Sequence, residues 1–293
     1  MSENRERVGV LSSAGWGIEM TEGHRNEPGK SRLSRNVIAL GAVSFFTDAS
    51  TEIVYPLLPM FLMVLGAGPA LIGVIEGIAE TTASLLKLVS GWASDRLRKR
   101  KAIIIFGYGL SSLTRPLMAM AALPWHVLAV RFTDRVGKGF RGAPRDALIA
   151  DSTDPAIRGR AFGFHRAMDH LGAVAGPLAA FLLLRWLMVD GGGDGGDPDA
   201  DTMRSVFWAA SVPATLAVAT LLLFVKEVAP ISATTRRLPS LRMAPFGKPF
   251  RNYIGVLILF TLGNSSDAFL LLRAHDLGVS PTLIPILWAS FTL

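Results

Sequence analysis

The chain has 293 residues, half of them apolar, with no cysteine and a formal charge of +7. Without thiols there is neither a disulfide framework nor a thiolate metal centre. The apolar residues fall in blocks of about 20 or more, long enough to cross a bilayer core of about 30 Å, which excludes a soluble fold of amphipathic stripes. The basic residues flank these blocks, as at membrane borders, and do not form a nucleic-acid face. The expectation is an all-α membrane protein embedded in the lipid bilayer, with no nucleic-acid partner, no cofactor and no metal.

Residues 1–35 form a polar tail that lacks the apolar core of a signal peptide. Lys30, Arg32 and Arg35 stand just before the first apolar block and favour a cytoplasmic amino terminus. Spans are predicted at 36–65, 70–93, 102–123, 124–150, 160–189, 204–225 and 252–274. An eighth begins near Pro281, and the chain ends inside it. The implied organisation is a six-helix half over 36–226, a cytoplasmic linker over 227–250, and over 251–293 the start of a second half (helix seven and part of helix eight).

The loops alternate in charge. Residues 66–70 are uncharged, whereas Asp95 to Lys101 carries Arg96, Arg98, Lys99, Arg100 and Lys101. The turn at Leu123–Trp125 is uncharged, Asp151 to Arg160 is mixed, and 226–251 carries Lys226, Arg236, Arg237, Arg242, Lys248 and Arg251. Basic loops stay inside, so every loop agrees with one orientation in the inner cell membrane. The loop at 190–201 holds Asp190, Asp194, Asp197, Asp199 and Asp201. An EF-hand needs a carboxylate at its twelfth position; counted from Asp197 that residue is Trp208, so the loop reads as flexible and solvated.

Residues 65–72, LGAGPALI, resemble residues 277–284, LGVSPTLI, at an offset of 212. Each follows an odd-numbered span with polar residues, Asp48 and Glu52 in the first and Asn264 and Asp267 in the seventh. Two parallel six-span halves are a known transporter plan. By that offset a complete second half would run about 145 residues beyond Leu293, so the chain is expected to be truncated.

Arg131 to Asp151 sits where the hydropathy asks for a membrane helix, yet it holds Arg131, Asp134, Arg135, Lys138, Arg141, Arg145 and Asp146. A charged side chain at a helix centre costs roughly 2.5–3.5 kcal/mol, so these must face water or counter-charges. The basic residues recur every three or four positions, on one helical face. Counter-ions come from Asp48 and Glu52 on span one and from Glu76 and Glu80 on span two, which also carries Lys87. Spans one, two and four then balance to zero, as a shared interior requires. Span five adds His165, Arg166, Asp169 and His170, a grouping suited to proton relay. By depth, Asp48, Glu52 and Arg135 fall near mid-membrane, and Arg145, Asp146, His165, Arg166 and Asp169 fall toward the cytoplasm. Glu80 and Lys87 read as a structural pair.

Gly137 to Gly142 fits GxGxxG, but no strand precedes it, so a dinucleotide site is not expected. Its glycines, like Gly73 and Gly77, suit close helix approach. No Walker motif, HExxH or nucleophilic triad occurs, and the protein does not read as an enzyme.

Gly91, Asp95, Arg96, Lys99 and Arg100 resemble the loop signature of the major facilitator superfamily, with Arg98 in place of the second glycine. Arg135-Val136-Gly137-Lys138-Gly139 resembles its span-four signature, with lysine in place of glutamine. Gly172 to Pro177, including Gly176, resembles the span-five signature of its exporters, without the trailing glycines. The resemblance implies a secondary transporter of a small-molecule substrate by alternating access, coupled to protons and directed outward. It assigns proton transfer to Arg135; from their charge and position, Asp48 or Glu52 is expected to be its coupling partner, together with Asp169 and His165. Glu76, Glu80, Arg131, Lys138, Arg141, Asn264 and Asp267 would line the cavity. Gly91, Asp95, Arg96, Arg145, Asp146, Arg166, Gly172, Gly176 and Pro177 would serve gating. The family's loop signature latches against span eleven, which this chain does not contain. The alternatives are an organic-anion uptake carrier of the same fold, with Arg141 and Arg145 as ligands, and a truncated fragment that transports nothing by itself, or half of an assembly whose missing helices come from another chain.

Overall fold

The computed structural model describes residues 32–97, 99–190, 197–228, 247–262 and 266–292. Among them all regular structure is helical. Helix α1 (Arg35–Val54) starts at Ser34, whose hydroxyl accepts from the Val37 N–H. Pro56 and Pro59 remove helix donors, so the chain passes through a 3-10 turn at Tyr55–Leu57 before α2 (Leu58–Val64). Next come α3 (Pro69–Leu97), α4 (Arg100–Ala119), α5 (Pro124–Asp151) and α6 (Arg158–Asp190). The expected sixth span is two helices, α7 (Ala200–Ala209) and α8 (Ser211–Phe224). Pro213 explains the break, because its ring collides with the carbonyl four residues back. The expected seventh span is likewise divided, into α9 (Lys248–Leu262) and α10 (Asp267–Asp276), and α11 (Ile284–Thr292) follows.

Among the described residues, four segments are long and apolar enough to cross a membrane: Arg35–Val64, Arg100–Ala119, Pro155–Met188 and Ala200–Phe224. Helices α3 and α5 are not among them. The expectation that hydropathy alone asks for a membrane helix at 131–151 is therefore corrected. Helix α5 holds its place by packing along α3 and α4, while α1 packs along α6 and α8.

Two apolar clusters close the ends of the bundle. One gathers Leu57, Phe61, Ile72, Met118, Val127, Leu184 and Phe207, with the Phe61 and Phe207 rings edge to face at 5.1 Å. The other gathers Val37, Leu40, Ile104, Leu148 and Leu221. Between them lie the stretches 44–52 of α1, 111–115 of α4, 131–145 of α5 and 165–176 of α6. Much of the charge on α1, α4, α5 and α6 falls in this middle layer, between the two apolar clusters.

The repeat seen in the sequence is a repeat of conformation. Gly66 ends α2 at φ +88° and Gly278 ends α10 at φ +90°, the left-handed region that favours glycine. Gly66 donates to the Met63 carbonyl and Ala67 to that of Leu62; Gly278 donates to His275 and Val279 to Ala274. Both pairs are the paired bonds of a Schellman turn, and a proline follows three residues after each glycine.

The basic end of the bundle is tied by polar contacts. The Asn36 amide donates to the Ser152 hydroxyl and the Lys226 carbonyl and accepts from the Lys226 N–H. The Glu227 carboxylate accepts from the backbone N–H groups of Arg100 and Lys101, at 3.0 and 2.8 Å. It caps α4, whose own preceding residue, Lys99, supplies no side-chain cap.

Candidate functional site

Every charged residue on the predicted face of α5 is placed by its spacing, but the partners differ from the simplest pairing. Arg131 donates to both carboxylate oxygens of Glu76 on α3, at 2.6 Å each, and both side chains are buried. Asp134 accepts from Arg115 of α4 at 3.1 Å. Arg115 also donates to the Thr51 hydroxyl of α1, at 2.9 Å. Arg135 meets Glu80 at 2.8 Å and Asp134 at 3.6 Å. Arg135 is thus salt-bridged to α3, and neither Asp48 nor Glu52 is its ion-pair partner here. The structural pairing expected between Glu80 and Lys87 is likewise replaced, because Glu80 turns to Arg135 and Lys87 is exposed. The balance of charges on spans one, two and four omitted Arg115, a fully enclosed cation from span three.

Of these groups, Thr51, Glu80 and Arg135 border a cavity of about 190 Å³. Asp48, Thr51, Glu52 and Tyr55 line it from the first span, Glu80 from α3, and Arg135, Lys138 and Arg141 from α5. Asp267 of α10 and Trp288 of α11 close the other wall. The Trp288 indole N–H donates to Glu52 at 2.6 Å, and its ring meets that of Tyr55 at 4.9 Å. Arg141 stacks over the Tyr108 ring at 4.6 Å. Its Nη1 has no hydrogen-bond partner although the residue is only 7% exposed. Asp48, Lys138 and Asp267 make no hydrogen bond or ion pair among the described residues. The expected cavity residues Glu76 and Arg131 lie outside this lining, locked in their own pair. Asn264 lies outside the described residues.

A second cluster sits toward the basic end. Ser44 of α1 donates to Asp169 of α6 and accepts from Arg145 Nη1 of α5 at 3.5 Å. Arg145 also holds Asp146, at 3.0 Å. Asp169 has His165 Nδ1 at 3.5 Å and Arg166 at 3.6 Å. His165 is buried and its Nε2 has no partner. Asp48 links the two clusters, since its nearby charges are Asp169, Arg141, Arg145 and Glu52.

Glycines set the spacing of the helices. A Cβ at Gly172 or Gly176 would strike the α1 backbone at Phe45 or Ala49, and one at Gly137 or Gly139 would strike α4 or α3. One at Gly91 would come within 3.3 Å of Ala143. Gly73 meets Phe269, but a Cβ at Gly77 would meet nothing within 4 Å, so close approach is not the role of Gly77. Pro177 lies inside α6. In the loop signature, Asp95 is 3.7 Å from Arg100, which pairs with Asp151 at 2.5 Å, and Arg96 stacks over Trp92.

Sequence reasoning missed Ser44, Thr51, Arg115, Tyr108 and Trp288. Arg115 carried a signal, being a lone cation in an apolar run. The hydroxyls and rings carried none, because such residues are ordinary in any membrane helix.

The profile of the Major Facilitator Superfamily matches residues 40–293. An uncharacterised MFS-type transporter of Methanocaldococcus jannaschii is 31% identical over 252 residues, 86% of this chain and 60% of that protein. The multidrug resistance protein MdtG of Proteus mirabilis is 28% identical over 148 residues, 49% of this chain and 37% of that protein. Among solved structures, a bacterial homologue of the human lysosomal transporter Spinster, inward-facing and occupied, superposes with a TM-score of 0.69 at 19% identity. That match covers 89% of this chain and 59% of that one. The chain therefore spans about three fifths of the length of the archaeal relative and of this structure.

Proposed function

We propose, from the premise that the chain belongs to the Major Facilitator Superfamily, that it works as a proton-coupled secondary transporter exporting a small solute by alternating access. The superfamily is one of transporters and not an enzyme class, and the apolar helices make this a multi-pass membrane protein. The observation that carries the reading is the cavity itself. Its walls come from α1, α3 and α5 on one side and α10 and α11 on the other. Rocking one set against the other opens such a cavity to either face of the bilayer. The export direction draws support from the similarity to a multidrug resistance protein.

In this reading Asp48 and Glu52 take the proton. Neutralising Asp48 removes a negative charge beside both Arg141 in the cavity and Arg145 at the basic end, which connects loading of the cavity to the cluster of Ser44, Arg145, Asp146, His165, Arg166 and Asp169. That cluster acts as the inner gate, and Arg135 biases the equilibrium by moving between Glu80 and the carboxylates of α1. A coupling device of this kind needs two arrangements of similar energy, which a network of exchangeable ion pairs supplies.

The test is proton movement in reconstituted vesicles with a pH-sensitive dye inside and a panel of solutes outside. Asp48→Asn and Arg135→Glu are expected to abolish solute-driven proton flux; unchanged flux in both refutes the assignment. Orientation is tested separately. The natural absence of cysteine allows single cysteines at Gly68 and Arg96. With a cytoplasmic amino terminus in the inner membrane, an impermeant maleimide outside the cell labels the first and spares the second. The opposite pattern overturns the topology.

One observation favours organic-anion uptake instead: Lys138 and Arg141 have no carboxylate partner among the described residues. Proton entry together with an added anion, in place of exchange, identifies that case.

A further inference from the structure

Among the described residues, the cavity is lined by charges of both signs that make no hydrogen bond to a charged partner and no ion pair. Arg135 is taken by Glu80, and Glu52 by the Trp288 indole. What remains is Lys138 and Arg141 on the α5 wall, and Asp48 and Asp267 on α1 and α10. Arg141 is nine-tenths buried with Nη1 unbonded. Asp267 stands in the first turn of α10, a favourable place for a carboxylate, and is among the charges close enough to act on the Tyr55 hydroxyl. The aromatic Tyr55–Trp288 pair lies on the same side.

A singly charged solute satisfies one wall and strips water from the ions of the other without replacing it, which is unfavourable. A solute with both charges satisfies both walls. The cavity, at about 190 Å³, is below the roughly 300–1,000 Å³ usual for drug-sized ligands, which calls for a compact solute.

We infer that the cavity takes a compact zwitterion, its ammonium held by Asp267 beside the Trp288 ring and its anionic group held by Lys138 and Arg141. This rests on the transporter reading and gives it a substrate class.

The experiment is equilibrium binding to the purified protein in detergent, read by displacement of a radiolabelled zwitterion and by thermal shift. The probes are a graded series of ω-amino acids from glycine to 6-aminohexanoate, with the methyl ester and the N-acetyl derivative of each. The best zwitterion is expected to bind at least tenfold more tightly than either of its derivatives. Lys138→Gln is expected to erase its advantage over the methyl ester, Lys138→Arg to retain it, and Asp267→Asn to erase its advantage over the N-acetyl compound. Lys138→Arg also reports folding, because it keeps the charge. The inference is overturned if no zwitterion in the series binds, if a derivative binds as tightly as its parent, or if Lys138→Gln leaves the preference intact. The two readings fail differently. Proton-coupled flux of a singly charged solute that outcompetes every zwitterion keeps the transporter and removes the zwitterion. Selective zwitterion binding without flux of any solute keeps the site and removes the transport.

Discussion

The closest helix contact in the bundle gives the sharpest prediction. A Cβ added at Gly172 would lie 2.4 Å from the Phe45 carbonyl oxygen and 3.1 Å from the Ala49 nitrogen. At Gly176 it would lie 2.5 Å from the Ala49 carbonyl oxygen and 2.7 Å from the Glu52 Cβ. Ordinary contact begins at 3.4 Å, so Gly172→Ala forces α1 and α6 apart by about 1 Å. The obstacles are backbone atoms in mid-helix, which cannot rotate aside. Overpacking costs roughly 1–3 kcal/mol, and the lack of any flexible neighbour puts this case in the upper half. At about 2–4 °C per kcal/mol for a chain of this size, the melting temperature falls by roughly 4–12 °C. The control is Gly163→Ala on the same helix, where an added Cβ would meet nothing within 4 Å. There alanine helps by roughly 0.5–1 kcal/mol through helix propensity. The assay is thermal melting of the two purified variants in the same detergent. If Gly172→Ala melts no lower than Gly163→Ala, α1 and α6 do not approach as described, and the placement of Asp48 and Glu52 fails with it.

Glu76→Gln leaves Arg131 without its counter-charge and is expected to destabilise by roughly 3–5 kcal/mol, whereas Glu76→Leu combined with Arg131→Met recovers most of that loss. A double variant that melts as low as the single one contradicts a pair that serves packing alone. Glu227→Ala removes the cap of α4 and is expected to cost roughly 0.5–2 kcal/mol, seen as faster hydrogen exchange at Arg100 and Lys101; unchanged exchange there rules out the cap. Asp199 accepts from Thr202 at 2.8 Å, and this hydrogen bonding holds its carboxyl below the usual carboxylate range. Because the folded value lies below the unfolded one, its stabilisation of α7 is present above the unfolded carboxyl's value of about 4 and is lost as pH falls from there through the lower folded value. Exchange at the start of α7 in the wild type is expected to rise on acidification, and in Asp199→Ala to be fast at every pH; an identical profile in the two rules out the cap.

Much of the architecture was legible along the chain, because apolar blocks of membrane length and turns with glycine and proline are local signals. The turn at Gly66 and its copy at Gly278 needed only five identities in eight positions. The breaks within the sixth and seventh spans were not foreseen, although Pro213 could have suggested the first. The site was half legible. Spacing alone placed Arg131, Asp134, Arg135, Lys138, Arg141 and Arg145 together, since a helix fixes which residues share a face. It did not assign their partners, and charge counting over three spans left out Arg115.

The amino-acid order therefore determined that this protein buries a ladder of cations among membrane helices, and that carboxylates on neighbouring helices accompany them. Only the tertiary structure decided that Glu76 is used up by Arg131 and Glu80 by Arg135, so that Asp48, Lys138 and Asp267 have no ion-pair partner among the described residues at the cavity. The reason is geometric: an ion pair exists only within about 4 Å, and which side chains come that close depends on the packing of glycine-faced helices far apart in the chain.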